Sequence, residues 1–338
     1  MLRYKIKKIS EIDITQLSDF YRKVYFQRHK SLISNWRWWY RVGHGKFEPL
    51  LLLIDDKVIG QAGLLPTDLR IKEKKVPAIW FVDFVILPEF RGKGLGELLT
   101  KEWMKICPNQ ITFCNNQSLK VFKKLGWKNN LSTQRLLKPI NPMKFLPFLR
   151  KIELNFANKI YRKLIKKRFS RSILISPRAI IDNYNFIDDS FKKQKPVKNE
   201  KFAEIIRDEK WFYWRLMECP YKKNLYFFEH KNNFAIVNIY SNNKIKRLNI
   251  LYTYSLENHN QENELLILIT NWAIENNIDM LWAVKKNQEF INIFPNILTK
   301  SMNFASWSSD EKIFEVLQNG LSDPQGIDSD IDSCLYID

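Results

Sequence analysis

Cysteine is scarce and scattered. The four cysteines, Cys107, Cys114, Cys219 and Cys334, form no CxxC pair, which argues against a structural zinc site and fits a reducing, cytoplasmic setting. The four histidines, His29, His44, His230 and His259, stand alone with no HExxH spacing, so no metal enzyme is expected. No apolar run approaches the length of a membrane span. The opening residues, Met1 to Lys8, lack the apolar core and cleavage site of a signal peptide. Acidic residues are outnumbered: 36 Asp and Glu against 55 Lys and Arg leave a formal charge of +19. That excess either favours an acidic partner (a nucleotide, a phosphosugar, a nucleic acid or an anionic membrane surface) or is a solvated lysine-rich face. With 338 residues and 45% hydrophobic content, the chain has room for two domains with packed cores.

Most informative is the stretch from Trp80 to Leu99. Trp80 to Leu87 is aromatic and β-branched and reads as a buried strand, ended by Pro88 because proline cannot continue a ladder. Arg91, Gly92, Lys93, Gly94, Leu95 and Gly96 then place three of the chain's ten glycines within six residues. From Glu97 to Ile106 the spacing is helical, with Leu98, Leu99, Trp103 and Ile106 on one side. A strand, a glycine turn and a helix in this order present backbone N–H groups at a helix N-terminus, an arrangement suited to a diphosphate. Neither the P-loop spacing nor GxGxxG is met, which excludes the two commonest nucleotide fingerprints. A second cluster follows: Asn115 closes a strand, Ser118 and Phe122 lie one helical turn apart, and Gly126-Trp127 ends the helix.

Arg91, Gly94 and Gly96 after a strand ending near proline resemble the acyl-CoA signature of the GNAT N-acetyltransferase superfamily. Asn115, Ser118, Phe122, Gly126 and Trp127 resemble its second motif. The resemblance implies an α+β fold of mixed α/β character. Each half would be a twisted, mostly antiparallel mixed sheet flanked by helices. It also implies acetyl-CoA, or another acyl-CoA, as co-substrate and no metal. The diphosphate would meet Arg91, Gly92, Lys93, Gly94, Leu95 and Gly96. The pantetheine would run along Val85, Ile86 and Leu87, and Asn115, Ser118 and Phe122 would complete the cofactor site.

In chain order, helices are expected at Gln16–Gln27 and around Ser34–Tyr40. A hairpin of Leu50–Ile54 and Val58–Leu65 follows, then a strand Leu69–Glu73 and the central strand. After the glycine turn come a strand Gln110–Cys114, a helix Ser118–Leu125 and a last strand at Ser132–Leu137. The second half resembles a repeat of the first. Trp211–Arg215 echoes Trp36–Tyr40, and Leu225–Glu229 with Phe234–Tyr240 forms a hairpin through Lys231 to Asn233. Arg247–Tyr254, the helix Glu262–Glu275, the strand Asp279–Val284, a short helix Gln288–Phe294 and a closing strand Asn303–Ser308 complete the order. Its turn, Ser255 to Glu262, has no glycine, so the second half is expected to hold no CoA and to shape the acceptor cleft. The expected division is a catalytic domain 1–140, a basic helical linker 141–195, a degenerate GNAT-like domain 196–320 and an acidic tail 321–338 read as a loose end. The basic amphipathic segment 145–171 either packs on a neighbouring domain or lies on an anionic membrane.

For the chemistry, the resemblance implies attack by an acceptor amine on the thioester, with a strand N–H polarising the carbonyl and positioning carrying much of the rate. Asp83 and Asn115 are the catalytic candidates. Asp83, costly to bury unless paired, is either a base or amine anchor, or a structural partner of Arg37 or Arg41. Phe122 stands where the family has its usual Tyr acid, which leaves the acid to a bound water or, more weakly, to Tyr40 or Cys114. The expected acceptor is a polar, anionic amine such as a nucleotide-linked amino sugar. Two other readings stand beside it: a Fem-like aminoacyl transferase using aminoacyl-tRNA, and a non-catalytic module that binds CoA or anionic lipid.

Overall fold

The computed structural model describes residues 4–26, 28–43, 47–142, 160, 163, 175–184, 201–241, 245–255, 259–285 and 298–328. Apart from residues 160 and 163, the basic segment 145–171 lies outside the described residues, as do the expected helix at 288–294 and the last ten residues.

Two mixed sheets flanked by helices make up the fold, as expected. In the first, β1 (Tyr4–Lys8), β2 (Leu50–Ile54), β3 (Lys57–Ile71), β4 (Lys74–Ile86) and β5 (Asn109–Cys114) lie side by side. β2 is a run of five apolar residues, all buried, which suits a strand covered on both faces. The separate strands expected at Val58–Leu65 and Leu69–Glu73 are one fifteen-residue strand, β3. Pro66 sits inside it, opposite Ile79 of β4. All neighbours here are antiparallel except β4 and β5, which run parallel.

Helices α1 (Ile14–Val24) and α2 (His29–Trp39) precede β2, whereas α3 (Leu95–Met104) and α4 (Asn116–Lys124) flank β5. Asp13 caps α1 by accepting from the Thr15 N–H at 2.7 Å, which starts the helix two residues before the sequence suggests.

The second sheet repeats this arrangement with β10 (Leu225–His230), β11 (Asn233–Ser241), β12 (Lys246–Tyr254) and β13 (Met280–Lys285), the last pair again parallel. The helix α5 (Glu209–Leu216) precedes this hairpin and α6 (His259–Glu275) links β12 to β13. The two hairpins share a turn. Asp55 and Asp56 take φ of 47° and 58°, and Lys231 and Asn232 take the same two values. Both are the doubly left-handed turns that two-residue hairpins favour, built here without glycine.

One expectation is overturned. β7 (Gln134–Pro139), expected to close the first sheet, pairs instead with β13 in the second. β15 (Asn303–Ser308), expected to close the second sheet, lies inside the first, between β5 and β6 (Lys128–Asn130). β14 (Leu298–Ser301) pairs with β7 as β6 pairs with β15, and the two-residue strands β8 (Arg178–Ala179) and β9 (Glu204–Ile205) pair with β10 and β3. The exchange is therefore reciprocal, and cuts at residues 140 and 196 separate no self-contained sheet. Strand pairing is non-local, and two short alternating strands of similar character leave the choice of sheet open in the sequence.

Helices α2 and α5 meet at the same junction. The Trp38 indole N–H donates to the Trp214 carbonyl at 3.0 Å, and the Trp214 indole N–H donates to the Trp38 carbonyl at 2.9 Å. The aromatic clusters that look like copies in sequence thus bind each other.

The acidic tail is also ordered at its start. Asp328 and Ile327 are buried, and Arg207 donates to both oxygens of Asp328 at 2.7 Å. The loose end expected from residue 321 onward is therefore packed structure as far as residue 328.

Candidate active site

β4 and β5 pair only where Ile79 and Trp80 face Gln110 and Ile111. Beyond that point they part. The Thr112 hydroxyl donates to the Phe81 carbonyl at 2.7 Å and marks the throat of the fork. Past it opens a cleft of about 170 Å³, lined by Val82, Asp83 and Phe84 on one wall and Phe113, Cys114 and Asn115 on the other. Ser118 and Phe122 of α4 also line it.

β4 is bulged at this point. Gln61 of β3 pairs with Val85 and Gly63 with Val82, so Asp83 and Phe84 together oppose Ala62. Asp83 takes a φ of 51°, in the left-handed region. The bulge changes which face each side chain takes. Phe81 and Phe84 are three apart and would lie on opposite faces of a regular strand. Here both reach Phe122, at ring distances of 5.6 and 5.7 Å.

The glycine turn lies where β4 ends, after a short 3-10 turn at Pro88–Phe90. Gly92 and Gly94 have φ of 76° and 75°, and a Cβ built on either meets nothing within 4 Å. Gly94 is the N-cap of α3. The turn is thus a left-handed backbone loop at a helix N-terminus with open space beside it, and the residues fit a diphosphate. Gly96 differs: its Cβ would press on the Phe84 ring at 3.3 Å, so here glycine serves packing of α3 on β4. The Lys93 ammonium lies over the Phe90 ring at 5.3 Å, and Leu95 is the first residue of α3.

Of the expected pantetheine edge, Val85 pairs with Gln61 and the Leu87 N–H donates to the Ile59 carbonyl at 2.8 Å. The Ile86 carbonyl accepts from Arg91 Nε at 2.9 Å. The amide alternation along a strand then turns the Ile86 N–H toward the fork. Leu87 is a correction: its amide serves the sheet. Arg91 spans the end of β4 and the turn, which fixes one to the other.

Asn115 is the N-cap of α4, its side-chain oxygen accepting from the Ser118 N–H at 2.9 Å. Phe122 is fully buried among Phe81, Phe84, Trp103 and Trp127 and has no proton to give. Burial pushes the Cys114 thiol up to about 12, so it stays protonated at neutral pH and makes a poor nucleophile.

Asp83 is placed differently from expectation. Its carboxylate forms a buried ion pair with Arg28, not with Arg37 or Arg41; the two side chains are 1% and 9% exposed. Its other oxygen accepts from the Trp39 indole at 3.0 Å and the Tyr40 hydroxyl at 2.9 Å. The Gln61 amide donates to Tyr40 in turn at 2.6 Å, and the Tyr25 hydroxyl donates to the Asp83 carbonyl at 3.0 Å. Arg28 and Trp39 stand at opposite ends of α2, an eleven-residue helix, and their long side chains converge on Asp83 beneath it. A carboxylate with a guanidinium on one oxygen and two donors on the other is poorly placed to take a proton from an acceptor. Sequence reasoning missed Arg28, Tyr25, Gln61 and Thr112. Gln61, a polar residue in an apolar strand, was the one visible signal.

The equivalent fork in the second sheet is filled. Gln325 donates to the Thr253 carbonyl of β12 at 3.3 Å. A Cβ on Gly326 would lie 2.9 Å from the Trp282 ring of β13 and 3.4 Å from the Ile250 carbonyl of β12. Burial works against the charge on Arg207, but Asp328 beside it, with Asp323, outweighs this and holds the guanidinium above its ordinary range. Lys285 likewise is opposed by burial and raised by Glu262, which accepts from it at 2.9 Å, and by Asp323. The segment 323–328 is thus fastened between β12 and β13 by paired charges.

Residues 12–127, about a third of the chain, match the model of the Acetyltransferase (GNAT) family. No protein of curated function matches the sequence. Among solved structures, a GCN5-related N-acetyltransferase from Kribbella flavida is similar with a TM-score of 0.58 at 10% identity, covering 90% of this chain and 71% of that one. One from Anabaena variabilis gives 0.58 at 16% identity, with 90% and 72% covered. Saccharomyces cerevisiae N-myristoyltransferase with bound myristoyl-CoA gives 0.54 at 12% identity, with 90% and 82% covered. At these identities the likeness is one of fold, and it extends over both sheets. Among the described residues, no group of three or more His, Cys, Asp and Glu gathers to hold a metal, and no helix is long and apolar enough to cross a membrane.

Proposed function

We propose that the protein is an acyl-CoA-dependent N-acyltransferase with one active centre, in the fork between β4 and β5. The observation that carries this reading is the open left-handed turn at Gly92 and Gly94, set at the mouth of a fork whose strand is bulged. The diphosphate is held by the amides from Arg91 to Gly96, and the acyl carbonyl sits beside the bulge. An amine attacks the thioester carbon. The C–N bond forms, the C–S bond breaks, and the thiolate leaves to take a proton, from a bound water in this reading because Phe122 has none to offer. The nitrogen's proton goes to solvent or to the acceptor's own groups, since Asp83 is engaged by Arg28, Trp39 and Tyr40.

The donor is acetyl-CoA or another acyl-CoA. The acceptor is a polar, anionic amine, a choice supported by the +19 charge. Segment 323–328 in the second fork supports a single cofactor site per chain. Release of free CoA, measured over a panel of amines that includes nucleotide-linked amino sugars, tests the reading. Transfer to an anionic amine is expected, and silence across the panel from folded protein rejects it.

A further inference from the structure

The Asp83 backbone is held in a conformation that an L side chain enters at a cost of about 1–2 kcal/mol, and five side chains surround it. Tyr25 binds its carbonyl, Arg28, Trp39 and Tyr40 bind its carboxylate, and Gln61 braces Tyr40. Gly63 across the ladder keeps room for this arrangement, because a Cβ there would lie 2.9 Å from the Tyr40 ring and 2.6 Å from the Val82 carbonyl. A strained residue persists only where its surroundings over-determine it, and such residues gather at working sites. The direction of the next amide follows from the same contacts. In a trans peptide the C=O and N–H point opposite ways. With the Asp83 carbonyl turned to Tyr25, the Phe84 N–H points away from Tyr25. With the Leu87 N–H bonded to β3, the alternation also turns the Phe84 N–H away from β3. The side that remains is the fork, which Phe84 lines.

We propose that Asp83 is a positioning residue: clamped by Arg28 and by Tyr25, it fixes the bulge of β4 so that the Phe84 N–H is aimed at the thioester carbonyl. It acts through the backbone and takes no proton. Pre-aimed donors need no reorganisation as negative charge develops on the oxygen, which is where such groups contribute most. The inference rests on the acyl-CoA reading of the same cleft and adds to it the device that sets the geometry.

The test uses the full chain with acetyl-CoA labelled with carbon-13 at the thioester carbonyl, and reads that carbonyl's infrared stretch when bound. It needs no acceptor. In the wild type the band shifts to lower frequency than in free acetyl-CoA. In Asp83→Asn the shift falls by half or more, while CoA affinity stays within about threefold, a change under 1 kcal/mol. Tyr25→Phe, which removes one hydroxyl and leaves the carboxylate clamp, folds readily and gives an intermediate shift. With a working acceptor, Asp83→Asn lowers kcat on the order of 10²-fold with KM for acetyl-CoA little changed, and the pH–rate profile keeps its wild-type limbs. Should wild-type protein bind no acetyl-CoA, the acyl-CoA reading fails and this inference with it. Should the wild type bind and shift the band while both variants shift it equally, the acyl-CoA reading stands and the positioning role of Asp83 is overturned. Loss of the acid limb in Asp83→Asn overturns it too, because that marks a base.

Discussion

Ending the chain after residue 142 removes an internal strand, next to the edge, from the sheet that carries the proposed active centre. β15 pairs with β5 from Asn303–Cys114 to Ser308–Asn109 and is the partner of β6. A six-residue antiparallel pairing holds about one ladder bond per residue, each worth roughly 1 kcal/mol net. Phe304 is 1% exposed and meets the Phe113 ring at 5.6 Å; burying it contributes about 1.5–3 kcal/mol more. The total, roughly 7–9 kcal/mol, is comparable with the whole stability of a typical domain. Asn303 also donates to Asn116 at the start of α4 at 2.9 Å, so the loss reaches the wall of the cleft. The fragment 1–142 is therefore expected to show no cooperative melt by circular dichroism and no CoA binding by calorimetry, with both partly restored on adding fragment 143–338. In the intact chain, Phe304→Ala is expected to cost about 3–5 kcal/mol. A fragment 1–142 that melts cooperatively and binds CoA as the full chain does refutes the reasoning.

Other outcomes follow from single contacts. Gly63→Ala places a methyl 2.6 Å from the Val82 carbonyl and 2.9 Å from the Tyr40 ring, and overpacking of this kind costs about 1–3 kcal/mol in a denaturant titration. Arg207→Met leaves Asp328 buried without its guanidinium, for which about 3–5 kcal/mol is expected, with a fall in melting temperature and no loss of CoA affinity per folded molecule. Cys114 has a folded-state ionisation raised to about 12 by burial from an ordinary 9.0. Its contribution to stability is therefore complete below about pH 9 and disappears as pH climbs through 12. At pH 8 iodoacetamide is expected to alkylate it far more slowly in native than in unfolded protein, and Cys114→Ala is expected to retain turnover, contrary to a thiol-centred mechanism.

The glycine turn and its flanking strand and helix were legible because their signals are local: glycine spacing, an apolar run, a proline stop. Ser118, Phe122 and Gly126 were legible for the same reason. The exchange of β7 and β15 was not, since the alternation of a short strand states that it pairs and not with which sheet. Arg28 was invisible because a buried ion pair between residues far apart in sequence leaves no local trace, and the nearer Arg37 and Arg41 looked equally able. The bulge did leave one trace. Phe81 and Phe84, alike in character but three apart, fit one face only if a residue is inserted between them. The segment 323–328 looked like the start of a tail because Asp323 and Asp328 suit water, and the Arg207 and Lys285 that pair with them lie far away in sequence.

Isothermal titration of the full chain with CoA bears most directly on the open turn at Gly92 and Gly94. One saturable site per chain is predicted, lost or much weakened in Gly94→Val, whose side chain would enter the left-handed turn, while the melt of that variant falls by only about 1–2 kcal/mol in stability. Binding that is absent in the wild type, or that survives Gly94→Val unchanged, or that saturates at two sites per chain, contradicts the account.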